Sequence, residues 1–250
     1  MRTSIIINPK YDFLKDYIEK VPQRFEALTD VLYDVRNVIK TDEAGGIKLV
    51  IKSYHRIYLT NRIRYTFFHP SKAKRAFDHG IQLIQNGFLT PDPVAYIESY
   101  EYGLLSRSFF ICLYTDFTLL SSHLTDEDPE LMKDLAKFTF DLHHHGIYHM
   151  DYSNGNILCK KENGHFKFSL IDNNRMKFGK FSYSRRLKNF RRLGLTETQL
   201  TEVAREYSRL EKRDEEEAVE LLVHYVRRHT QRRQLKKNAK RFVRNKGNKP

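Results

Sequence analysis

An α+β chain in two successive parts is what the sequence predicts, a small β-rich part followed by a helical one. Three observations predict it. Short apolar runs of β-rich composition crowd the first 116 residues. The pattern changes after Tyr114-Thr115-Asp116. Apolar residues then recur at helical spacing, interrupted by a single strand pair around a polar turn.

In the first part, Val31–Val35, Asn37–Lys40 and Ile47–Lys52 read as strands, with a turn at Gly45-Gly46. Ser71–Asn86 places Ala73, Ala76, Phe77, Ile81 and Ile84 near helical spacing, and Gly87 follows as a stop. Pro91 and Pro93 punctuate a connection to two more strands, Val94–Tyr100 and Ser108–Tyr114. In the second part Leu131, Leu135, Phe138 and Leu142 define one apolar helix face, with Gly146 as terminator. A polar stretch from His149 leads to Ile157-Leu158, a turn at Glu162-Asn163-Gly164, and an alternating run that ends on Asp172. Thr196-Glu197-Thr198-Gln199 has capping-box spacing, and Ala218, Leu221, Leu222 and Tyr225 mark a later amphipathic helix.

The net charge of +13 is unevenly placed. Eleven Lys or Arg residues and no Asp or Glu lie from Arg227 to the end, and removing those eleven charges from +13 leaves +2. The body is near neutral, so a basic partner-binding role falls chiefly on the tail. Cys112 and Cys159 are too few for a disulfide framework or a cysteine-based zinc site, which fits a reducing cytoplasm. The first residues offer Ile5-Ile6-Ile7 before Pro9, too short for a secretory signal, and no apolar run approaches the ~18 residues of a membrane span. Work at a membrane is expected from its surface.

Phosphoryl transfer needs an acceptor-orienting carboxylate, cations on the phosphates and groups that hold those cations. His149-x-Asp151-x-x-x-x-Asn156 supplies such a set: Asp151 can accept a hydrogen bond from an attacking hydroxyl, and the amide oxygen of Asn156 can ligate magnesium. Asp172, 21 residues after Asp151, adds an anionic ligand. The alternative is an Asp and an Asn that bond their own backbone in a turn. Lys52 ends the run Leu49-Val50-Ile51-Lys52, where a lysine could reach nucleotide phosphates; a solvated strand-end lysine is its alternative and Lys48 its rival. Asp78 on the next helix is the candidate partner of Lys52, with plain surface charge as the alternative. In the run His143-His144-His145 adjacent rings point in different directions, so structural roles are expected there, with His149 bracing the loop.

The ordered set Lys52, Asp78, His149-x-Asp151-x-x-x-x-Asn156 and Leu170-Ile171-Asp172 resembles the protein-kinase-like superfamily. Lys72–Asp78, Thr90–Glu98 and Leu170–Gly179 resemble, within it, the lipopolysaccharide kinases that phosphorylate Kdo or heptose. The resemblance spans roughly residues 30 to 210 and implies a bilobal fold with ATP held between a small β-rich N-lobe and a reduced helical C-lobe. Residues 1–116 would be the N-lobe with an N-terminal extension, 117–226 the C-lobe with the catalytic loop, and 227–250 a basic tail. By carry-over Asp151 is the catalytic base and His149 its companion. Lys52, Asp78, Asn156 and Asp172 bind the nucleotide, Asn156 and Asp172 through Mg2+, and Asp78 pairs with Lys52. The implied acceptor is a glycolipid, Kdo-lipid A or the lipopolysaccharide core. The protein would then be cytoplasmic and peripheral on the inner face of the cytoplasmic membrane, with the tail drawn to anionic lipid.

The sequence also departs from protein kinases. No Gly-x-Gly-x-x-Gly precedes Lys52, Asn173-Asn174 stands where Phe-Gly would follow the magnesium aspartate, no Ala-Pro-Glu follows, and Ser153 stands where serine/threonine kinases carry Lys. These departures favour a small-molecule acceptor and leave a RIO-like kinase as an alternative, since that loop also carries Ser. A pseudokinase and a nucleic-acid-binding protein acting through the tail are rivals of another class; intact Asp151, Asn156 and Asp172 count against the first, the near-neutral body against the second.

Overall fold

The computed structural model describes residues 2–35, 37–55, 57–124 and 128–246, the side chains of Pro129 and of residues 240–246 excepted. The chain divides into two compact units, Met1–Phe117 with Ser169–Met176, and Thr118–Phe168 with Lys177–Pro250. Ser169–Met176 thus packs with the first unit, although it follows residue 117 in the sequence. The end of its strand bridges Leu89 and Ser169, and the amide of Leu170 donates to the carbonyl of Leu89 (3.0 Å).

The first unit is built on an antiparallel sheet of six strands. In chain order its elements are β1 (Arg2–Ile7), α1 (Lys15–Arg24), β2 (Val31–Asp34), β3 (Val38–Ala44), β4 (Ile47–Tyr54), α2 (Leu59–Phe67), α3 (Lys72–Gln85), β5 (Pro93–Glu101) and β6 (Leu104–Leu113). The strands lie in the order β1-β5-β6-β4-β3-β2. Side chains alternate across a pleat, so each face collects one set. Leu49 and Ile51 enter a core with Ile18, Val21 and Phe25 from the α1 side. Tyr54 and Tyr96 pack with Ala73 and Phe77 of α3 in a second cluster. Lys52, two residues from Tyr54, shares its strand face and lies opposite Phe110 in register. β1, α1 and α2 are additions to the sequence reading. β1 carries only three apolar residues, and α1 contains Pro22, which obscures its period.

Two local devices set this unit. Gly45 and Gly46 take φ of 57° and 74°, the left-handed pair a two-residue hairpin turn requires between β3 and β4. Lys40 is buried, and its ammonium donates to the carbonyls of Phe25, Glu26 and Leu28 at 3.0, 3.1 and 2.8 Å, filling all three of its hydrogen bonds.

The second unit holds β7 (Thr118–Leu119), α4 (Pro129–His144), β8 (Ile147–His149), β9 (Ile157–Glu162), β10 (His165–Leu170, whose end enters the first unit), β11 (Met176–Phe178), α5 (Tyr183–Leu187), α6 (Glu197–Leu210) and α7 (Glu215–Lys246). α4 buries Leu131, Leu135 and Leu142, as its period predicts. It ends where Gly146 takes φ 69°; a Cβ there would stand 2.9 Å from the carbonyl oxygen of Gly179, so both conformation and space demand glycine. Asn163 and Gly164, both at positive φ, turn β9 into β10. Thr196 and Gln199 form the predicted capping box of α6. His143 is buried, with its ring nitrogens 2.9 Å from the Tyr207 hydroxyl and 3.2 Å from Asn189 Nδ2. Burial, with Arg186 and His144 nearby, lowers its pKa to about 3, so it packs as a neutral ring. The basic tail continues α7: Ala218 and Leu222 are buried, while residues 230–239 are exposed. The side chains of Lys240, Arg241, Phe242, Val243 and Arg244, part of the tail's expected cationic and apolar faces, lie outside the described residues.

Candidate active site

The predicted site residues fall on both units, and each group of them is held by contacts within its own unit. In the first unit Lys52 Nζ donates to Asp172 Oδ1 at 2.5 Å, with side chains 15% and 26% exposed. The ammonium also lies 5.4 Å from the centre of the Tyr54 ring. Burial works to lower the Lys52 pKa, but the charges of Tyr54 and Asp172 outweigh it, so Lys52 is held above the usual lysine range and charged. Lys48 instead sits over the Tyr114 ring, opposite Glu43 near the Gly45-Gly46 end of its strand.

The partner of Lys52 corrects one expectation. Asp78 does not pair with it: its carboxylate lies 3.0 Å from Lys74 Nζ, a half-exposed i,i+4 pair on α3. The short Asp side chain stays on its own helix surface, where the lysine one turn earlier is the nearest cation. The neighbouring residue reaches the Asp172 loop instead. His79 Nδ1 donates to the carbonyl of Asn173 at 2.7 Å, tying α3 to the residue after Asp172.

Asp172 has φ 59° and ψ 40°, a left-handed conformation unusual for a residue with a side chain. Such a conformation persists only where surroundings hold it. Here Asn174 Nδ2 donates to Asp172 Oδ1 (2.7 Å), Thr90 Oγ1 donates to the carbonyl of Leu170 (2.7 Å), and Asn173 Nδ2 donates to Thr90 Oγ1 (2.8 Å). Asn173-Asn174 thus replaces Phe-Gly with side chains that fasten the loop. The Gly45-Gly46 turn is no phosphate cradle for Lys52. Val38 and Ile39 lie opposite Ser53 and Lys52, so Lys52 lies toward one end of the β3–β4 pair and the glycines at the other.

In the second unit the loop after β8 is anchored from beneath. His149 is fully buried and its Nδ1 accepts from the amide of Asp151 (3.1 Å). Tyr152 is buried with its hydroxyl 2.7 Å from Thr139 Oγ1 on α4. Asn156 Nδ2 donates to the carbonyl of Asp151 (2.8 Å), which turns the amide oxygen away from that bond. Between these anchors Asp151 is half-buried, and Arg192 Nη2 lies 2.6 Å from its Oδ1. The sequence reading missed Arg192. It stands between Phe190 and Leu193, both fully buried, which fix the turn that presents it. Its cue was the absence of a cation at Ser153, but a residue 39 positions on cannot be found from that absence. More cations gather here. Burial lowers the Lys188 pKa, helped by Arg191, Arg228 and Arg232; burial also lowers that of His229, helped by Arg191, Arg192 and Arg233.

Each donor is of a type that suits magnesium. Asp172 and Asn156 offer a carboxylate and a carboxamide oxygen, the hard ligands this ion takes. Cys112 and Cys159 are buried, with thiols that burial pushes up to about 12 and about 11, and so are poor soft-metal ligands.

A β-sheet unit bearing Lys52 and Asp172, with a helical unit bearing the Asp151–Asn156 loop, makes up a protein-kinase-like fold. Comparison with known proteins gives the family. The model of the lipopolysaccharide kinase (Kdo/WaaP) family matches residues 34–213, and the chain belongs to that family. Among solved structures it is similar to one described as WaaP in complex with acyl carrier protein, with 21% identity, a TM-score of 0.62, and coverage of 93% of this chain and 99% of that one. It is also similar to the Rio2 kinase–ADP/Mg2+–phosphoaspartate complex from Chaetomium thermophilum, with 17% identity, a TM-score of 0.48, and coverage of 86% and 67%. None of the curated proteins matches the chain. The family match decides between the sugar-kinase expectation and the RIO-like alternative at the level of family.

Proposed function

We propose that this lipopolysaccharide kinase transfers the γ-phosphoryl group of ATP to a hydroxyl of Kdo on lipid A. The observation that carries the reading is the Lys52–Asp172 pair, an ammonium kept charged beside a carboxylate held in left-handed backbone. Lys52 binds the ATP phosphates. Asn156 and Asp172 would hold a magnesium ion, which would supply positive charge to the phosphate oxygens. Asp151 orients the acceptor hydroxyl and takes its proton, and His149 positions Asp151 through the loop amide. Arg192 brings to Asp151 the positive charge that Ser153 does not. A planar guanidinium can share two hydrogen bonds between a carboxylate and a phosphoryl oxygen.

The anionic character of the acceptor is supported by the cations around Arg192. Beyond burial, Arg191, Arg228 and Arg232 lower the Lys188 pKa and Arg191, Arg192 and Arg233 that of His229, and a Kdo carboxylate or lipid A phosphate would relieve that repulsion. Among the described residues no helix is long and apolar enough to cross a membrane. The acceptor is reached from the inner face of the cytoplasmic membrane, with the basic end of α7 drawn to anionic lipid.

The test is phosphate incorporation from labelled ATP into purified Kdo-lipid A, wild type beside Asp151→Asn. Incorporation by wild type alone supports donor, acceptor and base together. Failure of both, with ATP still bound, rejects Kdo-lipid A and directs the assay to heptose-bearing core.

A further inference from the structure

α2 is an amphipathic helix mounted the wrong way round for water. Asn61, Arg62, Tyr65 and Thr66 form its half-buried face. Leu59, Ile63 and Phe67, at i, i+4 and i+8, form a stripe that is 61%, 41% and 66% exposed, flanked by exposed Tyr58 and Phe68. A surface helix of a soluble protein turns its apolar stripe inward. This one is fixed in the opposite sense by directed bonds. Arg62 Nε donates to the carbonyl of Leu105 (3.0 Å), the amide of Leu105 donates to Thr66 Oγ1 (2.9 Å), and the Arg75 guanidinium lies over the Tyr65 ring. The exposed stripe is therefore held outward by the inward face.

The charge around the stripe selects its partner. Around the stripe, from Tyr58 to Pro70, the sequence has two arginines and no Asp or Glu, Arg62 turned inward and Arg64 exposed. Arg64 and His69 are exposed beside the stripe. A second copy docked stripe to stripe would set Arg64 against its equal. An anionic lipid surface satisfies both features, with aromatic and aliphatic side chains at the headgroup boundary and cations on the lipid phosphates.

We infer that α2 is a membrane-docking helix that inserts Leu59, Ile63 and Phe67 into the headgroup boundary of an anionic bilayer. The surface is read from α2 itself, and only its purpose, presenting the enzyme to a lipid-borne acceptor, rests on the proposed function. It differs from the tail, whose attraction is electrostatic and screened by salt.

The chain contains no tryptophan, so Phe67→Trp in the full-length protein provides a single reporter on the stripe. With vesicles of phosphatidylethanolamine and phosphatidylglycerol, its emission is expected to shift to the blue and to be quenched by brominated acyl chains, including in 0.5 M salt. Leu59→Ser/Ile63→Ser/Phe67→Ser should reduce vesicle co-sedimentation in that salt about ten-fold or more, with unchanged melting and with activity on a water-soluble Kdo oligosaccharide within about twofold of wild type. Co-sedimentation without quenching overturns the inference in favour of the tail. A blue shift without lipid, accompanied by a dimer in analytical ultracentrifugation, overturns it in favour of a second copy. Loss of vesicle binding with soluble activity retained separates this surface from the chemistry, whereas absent soluble activity in wild type bears on the acceptor alone.

Discussion

The two candidate carboxylates are held in contrasting ways. Asp172, in the first unit, sits in left-handed backbone and meets a buried ammonium and a neighbouring amide at one oxygen. Asp151, in the second unit, sits on a loop anchored by buried His149 and Tyr152 and meets a guanidinium one-third exposed. The first arrangement suits a ligand that must stay ionised and stationary. The second suits a group that exchanges its partner for a substrate hydroxyl. Rigid support beneath a loop and an exchangeable cation above it give position without locking the reacting atom.

The strongest test of that contrast is to neutralise each carboxylate. Asp151→Asn is expected to lower kcat about 10²- to 10⁴-fold with modest change in ATP affinity, while Asp172→Asn loses magnesium-dependent nucleotide binding in a titration calorimeter. Equal effects on both quantities would erase the distinction. Lys52→Met should raise the KM for ATP by about 10- to 100-fold, the worth of one charged hydrogen bond, in steady-state kinetics. Arg192→Ala should lower kcat by about ten-fold and Arg192→Lys recover part of it; a rise in activity would mean that the guanidinium restrains Asp151 instead of assisting it.

Beneath the Asp151 loop, His143 ties α4 to α6 as a neutral ring with pKa about 3. Below about pH 6.5 the unfolded chain binds a proton that the folded chain does not. This contribution is whole above pH 6.5 and is lost as the pH falls toward 3, by up to about 1.4 kcal/mol per pH unit. Denaturant melts of His143→Gln should show a correspondingly flatter acid limb than wild type. The smallest effect is expected of Asp78→Ala, which removes only a half-exposed pair with Lys74 and should leave the KM for ATP within about twofold. A loss as large as that of Lys52→Met would restore Asp78 to the site.

Much of the fold was legible because it is written locally. The helix over Ser71–Asn86, the α4 stripe, the Gly45-Gly46 and Asn163-Gly164 turns and the Thr196 capping box each depend on residues within a few positions. β1 and α1 were not legible, since a three-residue apolar run and a proline-bearing helix declare themselves only against their neighbours. The site divides in the same way. The Asp151–Asn156 spacing is short and visible, and the Asp151 carbonyl does receive the Asn156 amide.

What the sequence by itself determined is therefore the set of chemical groups and the local backbone that carries each: a lysine ending a strand, an Asp-to-Asn loop after a helix, an aspartate after a hairpin. Tertiary structure alone decided the partners, because electrostatic pairing acts through space and is indifferent to separation along the chain. It joined Lys52 to Asp172 across 120 residues and left Asp78 to the lysine one turn away. It also gave His79 the loop after Asp172, brought Arg192 to Asp151, and turned the apolar stripe of α2 outward.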